Sequence, residues 1–183
     1  MNILNIEQFA TIVYSRPLTN VFVGIESIVD DPIEQWARLE GGPILVCFED
    51  VCILLRQPIG KCQVEIVLSS LEESAMLVRE GLPDPETKTA LMQIFESACY
   101  PSTFDHIPPS VAEVKLFQNP KAKSVGGIIL ELSTGGSFGI DASSYGGLVW
   151  FLDGQASIFR RKYVDVMLLQ EVQVARRGSG GTP

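Results

Sequence analysis

The stretch "IILELSTGGSFGIDAS" at 128–143 constrains the fold more tightly than any other. Two apolar runs are separated only by Thr134-Gly135-Gly136. A parallel crossover needs about a dozen residues or more, so these runs can pair only as an antiparallel hairpin. Glycine supplies the positive φ that such a tight turn requires. The same spacing argues against a cofactor loop. In a dinucleotide site the glycines open a helix, and the ribose-binding acid lies about 20 residues on, along the next parallel strand. Here Asp141 follows Gly136 by five residues and leaves no room for that helix. The phosphate-loop pattern is absent too, so no cofactor is expected.

Around this hairpin the second half reads as strands: "SVAEVKLFQ" at 110–118, "VGGIILELS" at 125–133, "GGLVWFLDG" at 146–154 and "ASIFRRKYVDVMLLQEVQVA" at 156–175. The last has no clean period. It is read as strand, with strand–helix or two strands broken near Arg160–Lys162 as alternatives. Trp150 and Phe151 would lie on opposite faces of their strand. Core packing on both faces is the simpler reading; an exposed aromatic would be a binding anchor.

The first half mixes types. Asn5 caps a helix over Ile6–Tyr14, ended by Pro17. "NVFVGIES" at 20–27 reads as a strand, and "DDPIEQWARLEGG" as a short helix over 32–39. "PILVCFEDVCILLRQ" at 43–57 is either one long strand or a hairpin turning at Glu49-Asp50, which would set Phe48 against Val51 and Cys47 against Cys52. "KCQVEIVLS" at 61–69 alternates strictly, as a strand with one buried face does. Then a helical pair is expected. Ser70 and Glu73 form a capping box for one helix ending at Gly81. Asp84 and Pro85 open a second, with Leu91, Ile94, Phe95 and Ala98 as its buried stripe. The fold class is therefore α+β: a mostly antiparallel sheet, a helical pair inserted in the middle, and a strand-rich second half. Residues 1–175 are expected to form one domain and 176–183 a flexible tail. With 46% hydrophobic and 20% charged residues, the chain has enough apolar surface to fold without staples.

No apolar run approaches the roughly 18 residues that cross a bilayer. The start carries Glu7 early and lacks a basic leader, so a cytoplasmic location and no membrane partner are expected. Cys47, Cys52, Cys62 and Cys99 have no C-x-x-C spacing and only His106 to join them, so no metal site is expected. They read as buried thiols, with one disulfide or a reactive thiol as the alternative.

Charge is the most informative bulk property. Residues 1–113 hold 17 acids and 6 bases, whereas residues 114–183 hold 5 acids and 8 bases. A field this acidic repels nucleic acid and attracts cations. The only basic cluster, Arg160-Arg161-Lys162, is too small to reverse that. A catalytic set is not evident. His106, beside Asp105 and near Ser102, Thr103 and Ser110, is the lone imidazole, and no G-x-S-x-G elbow exists. The acid pairs Asp30/Asp31, Glu49/Asp50 and Glu72/Glu73 lack a metal-loop pattern, and Glu72 and Glu73 are placed to favour a helix N-terminus.

The segment "GGIILELSTGGSFGIDASS" resembles the small α+β immunity proteins of bacterial contact-dependent and polymorphic toxin systems. The resemblance covers about 20 residues and transfers no functional residue. It implies a stoichiometric inhibitor that covers the active site of a basic nuclease toxin. The expectation is thus a non-catalytic acidic protein that binds a basic partner through Glu26, Asp30, Asp31, Glu34, Glu72, Glu73 and Glu80. One alternative is a small enzyme or ligand-binding domain with a pocket near Asp105/His106. The other is a homo-oligomeric structural or phage-encoded protein joined through its C-terminal strands.

Overall fold

The computed structural model describes residues 2–28, 37–38, 43–58, 60–70, 72–74, 87–93, 109–142, 149–152, 160–166 and 169–175; within these, side chains at 24–28, 37–38, 87–93, 149–152 and 165–166 are not described. The fold is α+β and strand-rich. Two antiparallel sheets account for most of it.

After the two-residue strand β1 (Asn2–Ile3), helix α1 runs over Ile6–Ser15. Its start is capped as expected: Asn5 Oδ1 accepts from the Gln8 amide at 2.9 Å, and Gln8 Oε1 accepts from the Asn5 amide at 3.0 Å. Two of the N–H groups that a helix start leaves unpaired are thereby satisfied. Phe9, Ala10 and Val13 form the buried face.

The first sheet is built on β2 (Leu18–Ile28), β3 (Ala37–Arg38), β4 (Ile44–Phe48), β5 (Val51–Arg56), β6 (Glu65–Ser69) and β7 (Thr87–Gln93), with β1 on its edge beside β6. The 43–57 segment is the hairpin: Phe48 pairs with Val51 and Cys47 with Cys52, around Glu49-Asp50. Glu49 adopts φ 50°, an uncommon conformation for a residue with a side chain. The apolar strands set the register, and the turn residues conform to it.

Three expectations are corrected here. Residues 87–93, read as part of a second helix with Leu91 in its stripe, form strand β7. Seven residues pair antiparallel with Phe22–Ile28 of β2. Phe22 and Val23 pair with both β4 and β7, so those strands flank β2 on opposite edges. An eleven-residue strand leaves a long unpaired edge, and hydrogen-bonding that edge outweighs the local helical pattern. Ala37–Arg38, placed in the 32–39 helix, pairs as extended chain with Ile25 and Glu26; the rest of that helix falls outside the described residues. Cys47 and Cys52, read as thiols, are joined by a disulfide. Cys62 is a free, half-buried thiol, and Cys99 lies outside the described residues.

The capping box on Ser70 and Glu73 is present, with bonds of 3.2 and 3.1 Å, and residues 72–74 are helical; the remainder of that helix lies outside the described residues.

The second sheet has the order β11-β10-β9-β8-β12, from β8 (Val111–Gln118), β9 (Val125–Leu132), β10 (Ser137–Asp141), β11 (Val149–Leu152) and β12 (Gln170–Val174). The 128–143 segment is the hairpin its spacing requires: Glu131 pairs with Ser137, and Gly135 takes φ 90° in the turn. The 156–175 segment is corrected from strand. Arg160 and Arg161 are helical, Lys162–Val166 is a turn of π-helix, and only Gln170–Val174 is strand. Tyr163 accounts for the interruption: it is fully buried against Phe117 and Ile129 on the outer face of the sheet.

The main core lies between the sheets. Val21, Ile44, Val46, Ile53 and Ile66 from the first meet Val114, Leu116, Ile128, Leu130 and Phe138 from the second, and α1 contributes Phe9 and Val13. The alternate residues of the first sheet, Leu45, Leu54 and Val67, are also buried, so its central strands are apolar on both faces. The sheets are stitched at their margins by backbone bonds, Leu18 N to Pro109 O at 2.8 Å and Val64 N to Val125 O at 2.6 Å.

Candidate functional site

The residues expected to meet a partner are only partly within the described structure. Glu72 and Glu73 are exposed on the helical turn after β6, and Glu73 spends one carboxylate oxygen on its capping bond. Glu26 lies in β2, flanked by Thr89 and Ala37, and its side chain is not described. Asp30, Asp31, Glu34 and Glu80 lie outside the described residues, as do Asp105 and His106. The structure therefore does not bring the seven acids together or separate them.

It does show how charges are paired. In the first half, Arg16 meets Asp50 at 3.3 Å and Arg56 meets Glu65. In the second, Lys115 sits between Glu131 (2.9 Å) and Glu113 (3.5 Å), Arg160 meets Glu171, and Lys162 meets Asp141 at 3.1 Å. Among the described residues no ion pair joins the two sheets. Among the described residues, Lys115, Arg160 and Lys162 each pair with an acid of the second half, Glu131, Glu171 and Asp141, and Lys115 also reaches Glu113. Desolvation opposes the charged form of Lys115, but the bond to Glu131 and the charges of Glu131 and Glu113 outweigh it, and its pKa is raised.

Two members of the Arg160-Arg161-Lys162 cluster are thus engaged in ion pairs within the chain, although their side chains remain exposed. Asp141, the acid a nucleotide site would have used, is buried: Lys162 binds Oδ2 and the Tyr163 hydroxyl binds Oδ1. That hydroxyl also lies 2.8 Å from the Gly126 carbonyl. Beneath it a Cβ on Gly126 would stand 2.9 Å from Leu169 Cδ1, so Leu169 packs closely over the glycine. The constellation locks the π-helical turn onto the sheet.

Two hollows lined by described residues are open to solvent. One of about 490 Å³ lies between α1 and the end of β12, lined by Glu7, Thr11, Tyr14 and Val174. The Tyr14 hydroxyl is engaged there, accepting from the Val114 amide at 2.9 Å and donating to the Val174 carbonyl at 2.6 Å. The other, of about 350 Å³, lies where the sheets are stitched, lined by Ile3, Leu4, Val64, Ile66, Lys123 and Val125 among others. Reading the sequence anticipated neither, because the walls of each come from segments far apart in the chain. Among the described residues no group of three or more His, Cys, Asp or Glu is placed to hold a metal.

No protein-family model, curated protein or solved structure matches this chain.

Proposed function

We propose that this chain is a non-catalytic binding protein whose acidic first half docks a basic protein, and that it acts as an immunity-type inhibitor covering the active site of a cationic nuclease. The observation carrying this reading is the separation of charge. The described acids of the second half, Glu131, Asp141 and Glu171, pair with its own bases, while the first half holds 17 acids against 6 bases. An uncompensated field of this kind accelerates encounter with a cationic surface. Immunity-type inhibition rests additionally on the likeness of the segment at 126–144 to that class.

The test starts with the partner captured from the native host and measures its association rate against ionic strength. The partner should be basic, and the rate should fall about tenfold or more from low to physiological salt. The double substitution Glu72→Lys/Glu73→Lys should slow association several-fold, and a captured nuclease should lose activity at one-to-one stoichiometry. A rate indifferent to salt, or a partner that remains active in the complex, would refute the reading.

A further inference from the structure

Among the described residues, β12 ends the second sheet and pairs only with β8. The Tyr14 hydroxyl bridges the Val114 amide and the Val174 carbonyl, so the backbone groups of Val174 face β8. Such groups alternate along a strand. Those of Gln170, Val172 and Val174 therefore face β8, and those of Glu171 and Gln173 point outward. Four backbone groups, two N–H and two C=O, thus stand in a row at a sheet edge, with no partner among the described residues. An edge of this kind is a template for another strand unless a proline, a lysine or a bulge blunts it. "QEVQV" contains neither residue, its register with β8 is unbroken, and its one charge, Glu171, is paired with Arg160.

The side chains divide by the same alternation. Glu171 and Gln173 lie on the outer face, bound to Arg160 and Glu113. Gln170, Val172 and Val174 lie on the inner face, where Val174 packs against the main core and Gln170 is exposed. Beside Val174 and Ala175 opens the hollow of about 490 Å³, whose other wall is Glu7, Thr11, Tyr14 and Ser15 of α1. The Thr11 hydroxyl donates to the Glu7 carbonyl at 2.8 Å, and its oxygen keeps capacity to accept. The open edge and the hollow therefore lie side by side at the end of β12.

We infer that β12 pairs antiparallel with β12 of a second copy of this chain, about a two-fold axis through Val172, joining the two five-stranded sheets into one. Self-complementarity selects this occupant. Glu171 then lies opposite Gln173 of the partner subunit, a carboxylate facing an amide donor, and the outward groups of both residues are used on each copy. Val172 meets Val172 of the partner subunit across the axis. A slip of two residues sets Glu171 against Glu171 of the partner subunit in one direction, a like-charge contact, and runs past the end of the strand at Val174 in the other. In the favoured register Gln170 of the partner subunit lies opposite Val174, about 5 Å away and on the inner face. That position is the mouth of the hollow, where its carboxamide reaches the Thr11 hydroxyl. The contact uses none of the acidic first-half surface, and either reading can fail without the other.

One strand pair makes a small interface, and small interfaces are weak, so a dissociation constant of about 10–200 µM is expected. Sedimentation velocity of the full chain from about 5 to about 500 µM should show monomer and dimer in equilibrium. Over that range the amides of Glu171 and Gln173 should exchange several-fold more slowly as concentration rises, while that of Val172, which faces β8, should not change. Two copies of net charge −8 repel at long range, so added salt should tighten the dimer, whereas it weakens docking of a basic partner on the acidic surface. Gln173→Pro removes an outward N–H, a position where an edge strand tolerates proline, so Tm of the dilute protein should move little while the dissociation constant rises about tenfold or more. Gln170→Ala should raise it about threefold. Gln173→Lys faces Glu171 of the partner subunit and should tighten the dimer about two- to tenfold beyond Ala122→Lys, which adds the same charge elsewhere. A chain still monomeric at the highest concentration, or a dimer indifferent to both Gln173→Pro and Gln170→Ala, overturns the proposal. So does equal protection of the Glu171 and Gln173 amides at every concentration, which would mean that the chain covers its own edge.

Discussion

Gly126→Ala tests how tightly the π-helical turn is seated. The added methyl would stand 2.9 Å from Leu169 Cδ1 and 3.4 Å from Tyr163 Cε1. Tyr163 has little freedom to retreat: its ring stacks on Phe117 at 5.2 Å between centroids, and its hydroxyl is tied to Gly126 O and Asp141. Leu169 must therefore yield by several tenths of an ångström, or the turn must lift. Leu169 Cδ1 is the end of a flexible side chain, so the overpacking falls at the low end, about 1 kcal/mol. At about 2–4 °C per kcal/mol for a domain of this size, Tm should fall by roughly 2–4 °C. The decisive variant is the double one. Leu169→Ala alone removes a half-buried side chain and costs about 1–2 kcal/mol. Combined with Gly126→Ala, the new methyl occupies vacated space. The double variant should then be more stable than the sum of the singles by at least about 0.5 kcal/mol, read from urea midpoints at constant m-value. Strict additivity, or a Gly126→Ala variant as stable as the parent, would refute this account of the seat.

Tyr14→Phe leaves the Val114 amide and the Val174 carbonyl without their shared partner, at a cost of about 1–3 kcal/mol; hydrogen exchange should quicken at β12 and in β8 near Val114 before it does elsewhere. Reducing the Cys47–Cys52 disulfide opens a loop closed across a sequence separation of five, which the chain-entropy model values at about 2 kcal/mol; excess dithiothreitol should lower Tm by roughly 4–8 °C without unfolding the protein at 25 °C. Because Lys115 has a raised folded-state pKa, its contribution is complete below the unfolded value of about 10.4 and is lost as pH climbs through the higher folded value. Lys115→Met should therefore flatten the alkaline decline of stability, by about 1 kcal/mol or less for a pair this exposed; an unchanged profile above about pH 10 would contradict the assignment.

Local signals were read correctly where the chain completes its own chemistry within a few residues. Asn5 and Gln8 satisfy each other across one helical turn, and so do Ser70 and Glu73. Cys62, Val64, Ile66 and Leu68 alternate because neighbouring side chains on a strand point to opposite faces. The reading failed where a distant partner decided. The helical spacing around Leu91 was overridden by a long strand edge more than sixty positions earlier in the chain. The 156–175 segment broke because Tyr163 found Asp141 and the Gly126 carbonyl. In the candidate sites, the charge imbalance was legible by counting, but which bases are neutralised was not.

By itself the amino-acid order determined that Ile128–Ser143 must double back on itself, that α1 must begin at Asn5, and that the first half must carry the negative charge. Each follows from turn geometry, capping or composition within one continuous segment. Only the tertiary structure decided that Thr87–Gln93 is a strand, that Cys47 and Cys52 are bonded, and that residues 3–6, 63–66 and 123–125 meet around one hollow. Those outcomes depend on backbone hydrogen bonds and close packing between segments far apart in the chain, which no local propensity encodes.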